Sequence, residues 1–263
     1  MVILHIIVGL KVGGAELMLK RLIEFSQNDS HVKHTVISMT CLGEVGLAIK
    51  SIGVEVQELG MKSMFDTPRA FLRLVRLIRH IKPDVVQTWM YHADLLGGIA
   101  GRIAGINNVI WNVRNTEIPQ RRISGTGLVI MMCAALSRII PKKIICCAQA
   151  GLSSHVKLGY DAKRMIVIPN GFDTRTWSIP CVSRNTIRAT YALPQDKFIV
   201  GIVGRFDPLK GYDVFVKAAA LMAERCTGSV LFLMVGRNVD TKNPALKNFI
   251  ETYGGRAEFK LIG

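Results

Sequence analysis

The stretch GRFDPLKG (204–211) lies between the apolar run FIVGIV and the helical run YDVFVKAAALMAE, and it carries two cations, Arg205 and Lys210, inside a strand–glycine–helix frame. A guanidinium offers a planar fork to phosphate oxygens, and an ammonium offers a mobile point charge. The free N–H groups of a helix N-terminus attract the same kind of anion. Together these groups suit a phosphate-bearing ligand. LMVGRN (233–238) repeats the device more weakly, with Gly236 and Arg237 at the end of the next strand.

Three further stretches sit where one apolar strand run gives way to a loop or helix. In GLKVGGAELMLK, Gly13 and Gly14 precede a helix, and the pair reads equally as a plain turn or as a ligand loop. It is not a dinucleotide fingerprint, because G-x-G-x-x-G is absent. YHADLLGG places His92 at a helix start just past the run DVVQTW. A lone histidine there is commonly a packing or capping residue, although the carboxyl end of a strand is where ligands bind in open α/β sheets. WNVRNTE ends another run with Arg114, Asn115 and Glu117, which read either as a polar acceptor site or as a solvated loop. No metal-ligand cluster is visible in the sequence, so neither metal nor cofactor is expected.

The elements that carry these residues alternate. Val/Ile-rich runs at 2–8, 34–39, 54–59, 84–89, 108–113, 143–148 and 165–169 predict buried parallel strands. Amphipathic segments near 14–27, 44–52, 68–81, 92–104, 127–139 and 149–159 predict the helices between them. In the first helix Ala15, Met18, Leu19 and Leu22 are expected to form the core stripe. The fold class is α/β, a doubly wound Rossmann-like domain over 1–169. IPNGFDTRTWSIP (168–180) breaks the periodicity, so 170–182 is expected to be a linker. Alternation resumes over 183–263 with helices near 184–191, 212–225 and 244–252 and strands at 198–203, 230–235 and 258–262. Three strands make a small doubly wound domain, so this second domain is expected to be incomplete.

Composition narrows the partners. The chain has 263 residues and a formal net charge of +15, with an excess of ten cations in 1–170 and five in 171–263. So even a spread, without a recognition module, argues against nucleic acid. The local concentration is PRAFLRLVRLIRHIK (68–82), where Phe71, Leu74, Val75, Ile78 and Ile81 share one helical face and Arg69, Arg73, Arg76 and His80 another. That basic face is either solvated or rests on an anionic membrane. The longest uncharged apolar stretch, GLVIMMCAALS, is shorter than the ~20 residues a bilayer span needs. With no basic leader at MVILHIIVGL, the expected location is cytoplasmic, at the inner face of the cell membrane. Six cysteines, at 41, 133, 146, 147, 181 and 226, lack any C-x-x-C pair and are expected to be reduced.

Taken in order and spacing, GGAE, YHADLLGG, VIPNGFD, GRFDPLKGYD and LMVGRN resemble glycosyltransferase family 4, retaining enzymes of GT-B fold, over essentially the whole chain. The resemblance implies transfer of a sugar from a nucleotide-sugar donor to a saccharide or lipid-linked saccharide, in cell-surface polysaccharide or glycolipid synthesis. It implies that Arg205 and Lys210 hold the donor diphosphate together with Gly13 and Gly14. Gly204, Gly236 and Arg237 would lie on the nucleotide side, and His92 near the donor sugar as the catalytic residue. Arg114 and Asn115 fall on the acceptor side, and Asn170 and Gly171 at the hinge. Family members also carry two glutamates spaced E-x7-E, and no such pair follows residue 171 here. A truncated product that binds acceptor, membrane or a partner chain without catalysis is therefore the alternative.

Overall fold

The structure, a computed structural model, describes residues 1–27, 29–116, 125–174, 182–225 and 229–263. These form two compact units, Met1–Asp173 and Thr174–Gly263. Of the linker expected at 170–182, residues 175–181 lie outside the described residues, as do Glu117, Cys181 and Cys226.

In the first unit, β1 (Val2–Ile7), β2 (Lys33–Ser38), β3 (Glu55–Glu58), β4 (Val85–Trp89), β5 (Val109–Val113), β6 (Lys143–Cys146) and β7 (Met165–Val167) form one sheet. The order is β3-β2-β1-β4-β5-β6-β7, and every pairing is parallel. Among the described residues the connecting helices are α1 (Gly14–Ser26), α2 (Gly43–Ser51), α3 (Thr67–Ile81), α4 (Tyr91–Ile103), α5 (Gly125–Leu136) and α6 (Gln149–Lys157). Helices α1 and α2 pack on one face of the sheet and α3 to α6 on the other, as right-handed crossovers in this strand order require. The two cores show the consequence of strand alternation. Leu4, Ile6, Val86, Trp111 and Ile144 pack beneath α3–α6, whereas Ile7, Val36 and Trp89 pack with Leu19 and Ile23 of α1.

The buried stripe of α1 is Ala15, Leu19 and Ile23. Leu22, expected in that stripe, is exposed, because contacts four residues apart centre the face on Leu19. In α3 the expected face holds: Leu74, Val75 and Ile78 are buried, and Arg69, Arg73, Arg76 and His80 are exposed. Cys41, Cys133, Cys146 and Cys147 are free thiols.

The second unit carries α7 (Arg184–Thr190), β8 (Phe198–Val203), α8 (Tyr212–Arg225), β9 (Val230–Val235), α9 (Pro244–Tyr253) and β10 (Glu258–Ile262). Its parallel sheet runs β10-β9-β8. Tyr212, Val216, Met234, Val239 and Leu246 form its buried core. The chain enters β8 over a buried arginine: Arg188 donates to the carbonyls of Pro194, Gln195 and Lys197 and so fixes the turn after α7. Among the described residues no helix is long and apolar enough to cross a membrane.

Candidate functional site

In the second unit the glycine turns after β8 and β9 are pressed together. Gly204 N–H donates to the Val235 carbonyl, and Phe206 N–H to that of Arg237. Gly236 has φ +142°, and a Cβ there would stand 2.0 Å from the Gly204 carbonyl oxygen. Only glycine fits that approach.

Arg205 and Lys210 both occupy this turn. The Lys210 stem lies over Gly204, whose Cβ position is 3.7 Å from Lys210 Cδ. Arg205 Nε donates to Asp207 Oδ2 at 3.0 Å, and the other Asp207 oxygen accepts from Leu209 N–H. These backbone and arginine hydrogen bonds, with the Lys210 charge nearby, hold the Asp207 carboxyl below its ordinary range. Asp207 thus holds Arg205 and caps the single 3₁₀ turn Pro208–Lys210, which ends on left-handed Gly211. Tyr212 Oη closes the turn by donating to the Gly204 carbonyl at 2.5 Å. Arg237 is exposed beside it. The 3₁₀ turn stands between the strand end and the start of α8, so the cations lie at the turn and near the helix. Asp207 was not among the expected residues. Its place two residues beyond Arg205 and immediately before Pro208, an Asp-Pro turn opener, was the available signal.

At the carboxyl end of the first unit's sheet, Gly13 is the N-cap of α1; its backbone is extended and it makes no side-chain cap. Neither Gly13 nor Gly14 has positive φ, so the turn itself does not demand glycine. Glycine leaves the helix end uncovered, and the Glu16 carboxylate folds back into that space, 2.3 Å from where a Gly13 Cβ would stand. Burial raises the Glu16 carboxyl while its own backbone N–H lowers it. The N-terminus of α1 thus holds the protein's own carboxylate.

His92 is the second residue of α4 and is half-buried, and burial lowers its pKa. It follows a strained residue: Met90, at the α4 N-cap, has φ +71° and ψ +156°. That region is nearly exclusive to glycine, and such strain clusters at functional sites. Two residues past His92, Asp94 is 1% exposed and accepts from Thr88 Oγ1 at 2.5 Å, while its Oδ2 has no hydrogen-bond partner among the described residues. Burial lifts its carboxyl well above the ordinary value, against the Thr88 and Asn112 hydrogen bonds and the Arg114 charge, which lower it. Tyr91 donates its hydroxyl to His155 Nε2 at 2.8 Å, and His155 Nδ1–H donates to the Gly151 carbonyl at 2.6 Å.

Arg114 is drawn inward rather than solvated. Its guanidinium lies 4.6 Å from the Trp89 ring centroid and donates to Asn112 Oδ1 and to Asn170 Oδ1 at 2.8 Å. Asn115 is exposed. Past β7 the chain runs back across this sheet end: Asn170 meets Arg114, Gly171 is exposed, and the Phe172 ring takes Arg21 at 4.5 Å. Asn170 through Asp173 thus belong with the first unit.

Comparison with known proteins matches this architecture. A galactosyltransferase of Escherichia coli, named UDP-Gal:alpha-D-GlcNAc-diphosphoundecaprenol alpha-1,3-galactosyltransferase, is 25% identical over 177 residues, covering 66% of this chain and 46% of that protein. The chain thus spans about half the length of that curated relative. The solved Anabaena HepE protein in complex with UDP-glucose superimposes with TM-score 0.77 at 20% identity, covering 98% of this chain and 68% of that one. A glycosyltransferase of Rickettsia africae gives TM-score 0.71 at 16% identity, covering 98% and 67%. These likenesses carry the α/β architecture of GT-B type. Residues 12–176 match the family described as Glycosyltransferase Family 4, and 183–263 match Glycosyl transferases group 1. The chain belongs to glycosyltransferase family 4.

Proposed function

We propose that the protein transfers a hexosyl group from a UDP-linked sugar to a lipid-linked saccharide, with retention at the anomeric carbon, in the synthesis of cell-surface polysaccharide or glycolipid. The donor class is suggested by the neighbour solved with UDP-glucose, and the acceptor class by the relative named for a diphosphoundecaprenol-linked substrate. The observation that carries the reading is the turn after β8, where Arg205 pairs with Asp207 and the Lys210 stem lies over Gly204, beside the abutting glycines.

Breaking the anomeric C–O bond leaves an oxocarbenium-like sugar and puts negative charge on the departing diphosphate. Cations preorganised for that charge lower the barrier. When a donor diphosphate arrives, its oxygens take the Arg205 guanidinium in place of Asp207, and Lys210 adds a second positive charge. Gly204, Gly236 and Arg237 lie on the nucleotide side. Gly13 and Gly14 receive the diphosphate once the Glu16 carboxylate swings out. We assign His92, neutral through burial, to the sugar side as the catalytic residue, and Arg114 and Asn115 to the acceptor. In this reading the two cations do the work of a metal, so a chelator leaves turnover unchanged. The exposed arginines of α3 are placed against an anionic membrane, where a lipid-linked acceptor resides.

Calorimetry with UDP and with uridine tests the site. Arg205→Ala and Lys210→Ala should each weaken UDP binding at least about tenfold, as loss of a charge-assisted contact does, and leave uridine binding as it was. Unchanged UDP affinity in both variants ends the proposal. Transfer assayed on this 263-residue chain separates an enzyme from a binding product without turnover.

A further inference from the structure

The outer surface of the α3–α4–α5 layer carries a second feature, distinct from the basic face of α3. On α5, Leu128 is 62% exposed, and Met131, Met132 and Ala135 are exposed with it, while Ile130, Cys133 and Ala134 are buried on the opposite side. Ile139, in the turn after α5, is again 62% exposed. The spacing of three to four residues makes this one apolar stripe. Its far end opens onto a hollow lined by Arg102, Asn107, Ile139, Ile140, Lys142 and Arg164. Arg102 donates to Asn107 and Lys142 Nζ to Asn108 Oδ1 at 2.9 Å, and neither meets a carboxylate among the described residues. Arg164 has Asp161 at 3.4 Å. Asn107, Lys142 and Arg164 precede β5, β6 and β7, so the hollow lies at the amino ends of the strands. It is thus at the opposite end of the sheet from His92 and Arg114.

A contiguous apolar stripe ending in a cationic hollow needs a partner that is apolar and anionic at once. A second copy of this chain would bring the same cations against Arg102 and Lys142. A nucleic acid would leave Leu128 and Met132 against phosphates. A phospholipid surface satisfies both halves, with apolar side chains at the headgroup–acyl boundary and cations on phosphate. We infer that α5 and the hollow at its end form a docking surface for an anionic bilayer, the stripe entering the boundary and the hollow receiving a lipid phosphate. This extends the membrane contact placed on α3 and rests on that contact only in kind. α4 packs against both α3 and α5, so the two helices border one outer surface.

Flotation of the 263-residue chain with vesicles tests the inference, using phosphatidylcholine alone or mixed with phosphatidylglycerol. The wild type should float with the mixed vesicles. At roughly fivefold per cation near the surface, Arg102→Gln/Lys142→Gln should weaken binding about 20-fold. Leu128→Ser/Met132→Ser should weaken it by a comparable factor. All four positions are exposed, and an unchanged circular dichroism spectrum verifies the fold. If Arg69→Gln/Arg73→Gln/Arg76→Gln abolishes flotation while the α5 and hollow variants float like wild type, the inference falls and the α3 contact stands. If wild type never floats, both fall. A dimer in sedimentation that Leu128→Ser dissociates, without vesicle binding, assigns the stripe to a second copy and overturns the inference.

Discussion

Asp94 and His5 are both sealed inside the first unit, and burial acts on them with opposite consequences for stability. Trp89 Nε1–H donates to His5 Nδ1 at 3.4 Å, which makes His5 Nε2 the donor to His34 Nδ1 at 3.0 Å. His34 Nε2 then faces Ser26 Oγ at 2.8 Å, and Ser26 donates to the Leu22 carbonyl. Every member of this chain is satisfied only while both imidazoles are neutral. Burial, with His34 adding to it, holds His5 down to about 3 against an ordinary 6.5, and burial lowers His34 as well. The unfolded chain therefore binds protons that the folded chain refuses, and stability that is full above 6.5 drains as pH falls toward 3. Urea midpoints should decline across that window, and His5→Gln/His34→Gln should flatten the decline. Asp94 slopes the other way. Its folded carboxyl keeps a proton that the unfolded one releases above 3.8, so it costs stability as pH rises past that value. Asp94→Asn should raise the urea midpoint at neutral pH and change it little at pH values near 3.8. A neutral-pH midpoint below wild type would show that the acid is ionised in the fold.

The helices and strands reach the right places because glycine was kept where a Cβ would push them apart. A Cβ on Gly98 of α4 would stand 2.6 Å from Trp111 Nε1 and 2.9 Å from Ile140 Cγ2. That close seat lets α4 lie on the sheet and hold His92 just past β4. Gly98→Ala should cost about 1–3 kcal/mol by overpacking, whereas Gly14→Ala, with nothing within 4 Å, should cost none. In the second unit Gly236→Ala meets a backbone carbonyl and a positive φ together, and should cost at least about 1–3 kcal/mol while loosening Arg205. Thermal melts of the three variants rank these effects. The elements themselves were legible, because Val/Ile runs and 3.6-residue stripes report burial directly, and β8, β9 and β10 begin and end where the apolar runs do. Of the candidate site, the sequence offered the cations and glycines and none of the contacts around them. Glu16 folding over Gly13 and Asp207 holding Arg205 are short side-chain contacts that leave no periodic trace. Arg114 reaching Asn170 joins residues 56 apart, which only the assembled sheet brings together. Nothing in the identity of Met90 announces a backbone angle that glycine favours.

Across the molecule, the two units differ in how much sheet each can cover. The first unit buries β1 and β4 in the middle of seven strands, with helices on both faces and two separate apolar cores. Among the described residues the second has three strands, and β8 borders that sheet with Phe198 65% and Val203 81% exposed. An edge strand presents unpaired N–H and C=O groups, and apolar side chains left in water contribute little to stability. The amides of β8 therefore open at lower free energy than those of β1, because local stability follows the apolar surface that opening exposes. Hydrogen exchange read by mass spectrometry should show β8–β10 exchanging well before β1 and β4, with urea unfolding in two steps. UDP should slow exchange around Gly204–Gly211 and Gly236 first, because a ligand stabilises the state it binds. That protection should vanish in Arg205→Ala while exchange in β1 and β4 stays as it was. Protection by UDP confined to the first unit would instead move the diphosphate site away from the turn after β8.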